Sequence, residues 1–132
     1  MESLKYVRKK CIVVIITSDK VYKNFEIKRG YSENDILGGH DPYSASKAAA
    51  ELIIESYIKS FYSKNKKLKI GIARAGNVIG GGDWSPNRLI PDCVKSWSKN
   101  RSVLIRNPSS TRPWQHVLEA IHGYLVLAIK LK

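Results

Sequence analysis

Three tyrosines stand four residues before a lysine: Tyr6 with Lys10, Tyr43 with Lys47, and Tyr62 with Lys66. On a helix that spacing puts both side chains on one face. An ammonium beside a phenol favours the phenolate, drawing an ordinary pKa of ~10 toward working pH and making a base for an alcohol proton. The spacing is common, so context has to separate the Tyr43 pair from the other two. Asp41-Pro42 precede it as helix cap and first helical residue, and the small Ser44, Ala45 and Ser46 flank it. Upstream, Ser18-Asp19-Lys20 supply a hydroxyl, a carboxylate and an amine directly after an apolar run. Taken alone, Ser18 and Asp19 read as a turn pair satisfying backbone donors, and Lys20 as a salt-bridge partner. Later in the chain, Arg88, Arg106 and Arg112 lie on three successive elements, where their fork-shaped donors could converge on a diphosphate.

The elements that must position these groups follow from the apolar pattern. Residues 11–17 (CIVVIIT) form a β-branched run expected to be a strand buried on both faces, as in a parallel sheet. A polar segment, Ser18 to His40, leads to a helix from Tyr43 to about Ser63, with Ala45, Ala49, Leu52 and Ile53 as its packed stripe. Ile70 to Ala73 is the next buried strand, completing a βαβ unit. Then come a glycine cluster (Gly80 to Gly82), a short helix from Leu89 to Ser98, a strand from Ser102 to Arg106, a loop, and a closing helix from Val117 to Lys130. In open α/β sheets the carboxyl ends of the strands face the ligand crevice, so Ser18–Lys20 should meet the Tyr43 helix across one cleft.

Composition bounds the function. The 132 residues include 43% hydrophobic and 26% charged, which suits one globular unit and excludes a disordered chain. A formal charge of +12 predicts anionic partners. The densest basic run, Lys64 to Lys69, reads as a solvated connector; with no recognition helix or aromatic interleaving beside it, no nucleic-acid partner is expected. Cys11 and Cys93 make neither a disulfide framework nor a metal-ligand pattern, so no metal is expected. Cys93 reads as core, and His116 and His122 as structural. The apolar run at 11–16 is far short of the ~20 residues needed to span a bilayer, which points to a cytoplasmic protein with no membrane partner.

Taken in order, the motifs resemble a known family. They are Thr17-Ser18-Asp19-Lys20-Val21-Tyr22, Gly38 to Lys47, Arg74-Ala75-Gly76-Asn77-Val78-Ile79-Gly80-Gly81-Gly82-Asp83-Trp84, Arg88-Leu89-Ile90-Pro91-Asp92, Ile105-Arg106-Asn107-Pro108 and Arg112-Pro113-Trp114-Gln115-His116-Val117. From Cys11 to the last helix the chain resembles the extended short-chain dehydrogenase/reductases, and among them the nucleotide-sugar 4,6-dehydratases of the CDP-glucose branch. The resemblance implies an α/β fold: part of a Rossmann-like parallel sheet (its second half, residues 1–76) plus part of a smaller substrate-binding lobe (77–132). It implies NAD as cofactor, CDP-glucose as substrate, and a homodimer paired through the Tyr43 helix as an open possibility.

The resemblance also implies roles. NAD takes hydride from carbon four of the glucose while Tyr43 removes the hydroxyl proton. Lys47 assists Tyr43 and holds the nicotinamide ribose, Ala75 lies against the cofactor, and Ser18 hydrogen-bonds the 4-hydroxyl. Water then leaves from carbon six and the hydride returns there. Asp19 matches the general acid for the departing hydroxyl. Lys20 stands where related dehydratases carry the glutamate that takes the carbon-five proton. An amine acts as a base only in its neutral form, so burial or nearby positive charge is required. Asn77, Arg88, Leu89, Arg106 and Arg112 match the substrate-binding positions, with Arg112 on the diphosphate.

No Gly-x-Gly-x-x-Gly opens any helix, and Gly80–Gly82 follow the second strand, so the turn that cradles the NAD pyrophosphate is missing. The expectation is an internal piece of a longer enzyme, unable alone to bind NAD tightly or turn over substrate. Alternatives are a related nucleotide-sugar dehydratase or epimerase, and a non-catalytic anion-binding remnant.

Overall fold

A computed structural model describes residues 1–132. Strand β1 (Cys11–Ile16) pairs in parallel with β2 (Leu68–Ala73), Cys11 opposite Leu68 and Ile16 opposite Ala73. Between them runs helix α1 (Pro42–Tyr57), which widens into a π-helical turn at Ile58–Tyr62. A second, short parallel pair joins β3 (Asn77–Ile79) to β4 (Trp114–His116). Helix α2 (Leu89–Trp97) lies between these two strands in sequence, and α3 (Val117–Leu131) closes the chain. This is the expected α/β mixture with parallel sheets. Helix α3 packs on both strand pairs, so residues 117–131 belong with the first sheet as much as with the second. No helix is long and apolar enough to cross a membrane.

Local chemistry explains the elements that position the site. The Asp41 carboxylate accepts from the backbone of Tyr43 and Ser44, Ser44 reaches back to the Asp41 backbone, and Pro42 supplies the first helical residue. Gly71 in β2 lets α3 approach closely, because a Cβ there would lie 2.8 Å from Leu131 Cδ1 and 3.1 Å from Leu127 Cδ2. Cys93 is buried on α2, and His116 caps α3 by accepting from the Leu118 N–H through Nδ1. Lys64, Lys66, Lys67 and Lys69 are exposed.

Three expectations need correction, and one element is new. The stripe of Ala45, Ala49, Leu52 and Ile53 is exposed; Ser44, Ala48 and Glu51 make the buried face. An apolar stripe marks a face to be covered without saying by what, and here a polar network holds the opposite face. Residues 102–106 form no strand: Leu104 is 92% exposed, and the ladder hydrogen bonds of the second sheet go instead to 114–116, within the expected loop. Strand β1 is not buried on both faces, since it pairs with β2 alone and Ile12 and Ile16 are exposed. The unpredicted N-terminal turn Glu2–Tyr6 docks on the end of α1, where Tyr57 donates to Glu2 Oε1 and Tyr62 to the Met1 carbonyl.

Candidate active site

The parallel register brings both strands to an end at the same level. The ladder then continues into the candidate turn: Thr17 N–H donates to the Ala73 carbonyl at 2.8 Å, and Asp19 N–H to the Ala75 carbonyl at 3.0 Å. Ser18 caps a short 3-10 turn, Asp19–Val21, its hydroxyl accepting from Lys20 N–H and donating to Asp19 Oδ1, each at 3.2 Å. Lys20 Nζ donates to Asp19 Oδ2 at 2.8 Å, with both side chains partly shielded. Ser18 and Asp19 thus form a turn pair and Lys20 a salt bridge, the local arrangements their sequence allows. Helix α1 packs directly on this turn, with Val21 fully buried beneath it.

Tyr43 sits on the first turn of α1, 56% exposed, and Lys47 Nζ lies 5.9 Å from the centre of its ring. The pair shares one face, as the spacing requires. An open cleft of about 1630 Å³ runs beside the turn, lined by Asp19, Lys20, Tyr22, Tyr31 and Arg112 among others. Of the candidate residues, the structure brings Asp19, Lys20 and Arg112 to this cleft. Ser18, Tyr43, Lys47, Asn77, Arg88, Leu89 and Arg106 are not on its walls, so the expected single cleft lined by both the Ser18–Lys20 turn and the Tyr43–Lys47 pair is not what these walls form; Ala75 lines a smaller neighbouring cavity with Glu119. Arg88 precedes α2, and Arg106, on no strand, is exposed, so the three arginines do not converge in this arrangement.

A polar network under the turn escaped the sequence reading. Glu51 is completely buried. It accepts from Thr17 Oγ1 at 2.9 Å through Oε2 and from Arg74 Nε at 2.6 Å and Nη2 through Oε1. Arg74 also stacks on Tyr22, its Nη1 donating to the phenol oxygen at 2.9 Å, and Tyr22 stacks on Tyr31. Burial disfavours the Arg74 charge, but hydrogen bonds to Glu51 and Tyr22 outweigh it and raise its pKa. The available signal was position: Thr17 and Arg74 each directly precede a candidate segment, and Glu51 lies one helical turn past Lys47.

Residues 2–131 match the NAD dependent epimerase/dehydratase family. The chain belongs to that family. It is 51% identical over 99% of its length to the CDP-glucose 4,6-dehydratase of Salmonella typhimurium, covering 38% of that protein. It is 29% identical to the dTDP-D-glucose 4,6-dehydratase of Dictyostelium discoideum, over 89% of this chain and 28% of that one. Among solved structures, the dTDP-glucose 4,6-dehydratase of Bacillus anthracis in complex with NAD superposes with a TM-score of 0.77 at 25% identity, covering 99% of this chain and 39% of that one. The chain thus spans about two fifths or less of the length of these relatives.

The residues of this family member fit one end of NAD. Tyr43 and Lys47 share one face of an exposed helix start beside small residues, and a phenol and an amine are donors of the kind that suit ribose hydroxyls. The pyrophosphate end finds no counterpart among residues 1–132, because Gly80–Gly82 run from β3 into an irregular segment and not into a helix N-terminus.

Proposed function

We propose that this chain carries the proton-handling residues of a nucleotide-sugar 4,6-dehydratase that converts CDP-glucose to CDP-4-keto-6-deoxyglucose. The observation that carries the reading is the Asp19–Lys20 pair on the wall of a cleft shared with Arg112, against the helix that bears Tyr43 and Lys47. The 51% identity to the Salmonella dehydratase across this segment supports the choice of CDP-glucose.

Each side chain has a stated task. Tyr43 takes the proton of the 4-hydroxyl, with Lys47 supporting the phenolate, and Ser18 hydrogen-bonds the same oxygen. NAD, when bound, supplies the hydride acceptor. The 4-ketone makes the carbon-five proton acidic. A proton passes across the 2.8 Å hydrogen bond from Lys20 Nζ to Asp19 Oδ2, leaving a neutral amine and a carboxylic acid. Exclusion of water by the substrate favours that neutral pair over the ion pair. Lys20 then takes the carbon-five proton while Asp19 protonates the carbon-six hydroxyl, which leaves as water. With the hydride returned to carbon six, Lys20 gives a proton back to carbon five, and a proton passing from the Tyr43 phenol through solvent to the Lys20 amine restores the starting charges. Arg112 binds the diphosphate, Asn77, Arg88, Leu89 and Arg106 complete the substrate contacts, and Ala75 lies against the cofactor.

The same reading divides the chain into a Rossmann-like part (1–76) and part of a substrate lobe (77–132). The exposed Ala45, Ala49, Leu52 and Ile53 face of α1 would be where two copies pair. Unpaired Cys11 and Cys93 suit a reducing, cytoplasmic setting.

The test is to put this chain in place of the matching 135-residue stretch of the Salmonella relative and assay the fusion for 4-keto product. The fusion should convert CDP-glucose, its Lys20→Ala form should not, and the chain alone should not. Equal turnover of dTDP-glucose would move the protein to the related dehydratases. Binding of CDP-glucose without turnover would leave an anion-binding protein and end the catalytic reading.

A further inference from the structure

Glu51 is the completely buried charge in the molecule, and its two oxygens are divided between the two strands. Oε2 accepts from Thr17, the residue after β1, and Oε1 accepts both donors from Arg74, the residue after β2. Thr17 directly precedes Ser18. Arg74 directly precedes Ala75, whose carbonyl takes the Asp19 N–H. On the far side of the turn, Tyr22 is held by the same Arg74 guanidinium, through its ring face and its hydroxyl. The Ser18–Val21 turn is therefore bracketed at both ends by one ion pair whose carboxylate belongs to the helix of Tyr43 and Lys47.

We propose that Glu51 is a positioning residue: it fixes α1 in one register against both strand ends, and so sets where Tyr43 and Lys47 stand relative to Ser18, Asp19 and Lys20. The other buried residues on that face, Ser44 and Ala48, are small; Ser44 spends its hydroxyl on Asp41, and Ala48 makes only non-directional contacts, so neither selects a register with the strands. A buried ion pair adds little net stability over an apolar pair of the same shape, because desolvation offsets attraction. What it supplies is direction, since every lone pair and donor must find its partner or remain unsatisfied. Tyr43 lies eight residues before Glu51, about 12 Å along the axis, so a small rotation at the pin moves the phenol appreciably. The functional meaning of this register rests on the dehydratase reading; the register itself does not.

Site-resolved amide hydrogen exchange on the full chain tests it without substrate or cofactor. Thr17→Val removes the donor to Glu51 while keeping the shape, Thr17→Ser keeps the donor, and Glu51→Gln keeps the shape but removes the charge. Thr17→Val and Glu51→Gln should speed exchange at Asp19 and Val21 about tenfold or more beyond any change in the β1–β2 ladder. Thr17→Ser should restore the original pattern. A uniform loss of protection over turn, ladder and helix, or no local change, would overturn the proposal by reducing Glu51 to general stabilisation. If Glu51→Gln fails to fold, Thr17→Val and Thr17→Ser decide the matter. Failure of the dehydratase reading would appear in the turnover assay and leave these exchange rates untouched.

Discussion

The Lys20 amine and the Asp19 carboxylate, adjacent in sequence, meet through a 2.8 Å hydrogen bond at the carboxyl end of β1. Neighbouring side chains on an extended strand point to opposite faces. The 3-10 turn capped by Ser18 abolishes that alternation and turns both toward the cleft. Acid and amine therefore form one unit, with the base that the proposed elimination needs held against its proton acceptor.

Because the pair is partly exposed, its loss should scarcely touch stability while removing chemistry. Lys20→Ala should shift unfolding free energy by less than about 1 kcal/mol. In the fusion with the Salmonella relative the same change should lower dehydration by about 10²–10⁴-fold. Asp19→Asn, which keeps the hydrogen bond but not the acid, should do the same. Denaturant unfolding beside product assays separates the two effects; a large stability loss with turnover retained would contradict the role given to the pair.

The start of the Tyr43 helix should weaken in acid. The Ser44 side chain and backbone, and the Tyr43 N–H, hold the Asp41 carboxyl below the usual carboxylate range. The folded chain therefore binds this proton less readily than the unfolded chain, where an aspartate titrates near ~3.9. The capping contribution is complete above that pH and is lost as pH falls through the lower, folded value. Asp41→Ala should lower the melting temperature at pH 6, and the gap to the unmodified chain should close as pH drops below 3. Thermal melts across that range check it, with Asp41→Asn as the non-titrating cap.

How much of this was legible depended on whether a residue's role was local. Asp41, Pro42, Tyr43 and Lys47 declare a helix start through neighbours in sequence, and the β-branched run at 11–16 can hardly be anything but a strand. Glu51 was invisible because its partners, Thr17 and Arg74, lie 34 and 23 residues away. The second sheet was missed for the same reason. Asn77–Ile79 and Trp114–His116 are three residues each, too short for periodicity, and exist only through each other. Residues 102–106 had the composition of a strand but no partner to accept their hydrogen bonds.

Gly71 should prove intolerant of bulk. A Cβ there meets Leu131 Cδ1 at 2.8 Å and Leu127 Cγ at 3.2 Å, so side-chain volume pushes α3 off β2. Gly71→Val should cost about 1–3 kcal/mol in overpacking. Gly71→Ala should cost less, since its single methyl meets the ends of the Leu131 and Leu127 side chains, which can turn aside. Chemical denaturation of both variants measures the difference, and a neutral Gly71→Val would show that α3 does not bear on the sheet at this point.

Arg112 should carry the diphosphate energy that the other arginines do not. It is the candidate arginine lining the cleft with Asp19 and Lys20, whereas Arg88 and Arg106 stand off its walls. Two parallel N–H donors match two phosphate oxygens, and hydrogen bonds to charged groups are worth about 1.5–3 kcal/mol. Arg112→Ala should therefore weaken CDP-glucose binding about 10–100-fold, and Arg106→Ala, at a contact off the cleft wall, should cost less. Arg112→Lys keeps the charge and loses the fork, so it should fall between them and depend more steeply on salt. Calorimetric titration with CDP-glucose and CDP orders the three variants. Equal losses at Arg106 and Arg112 would mean that the 102–112 segment closes over the substrate and brings both guanidinium groups to the phosphates.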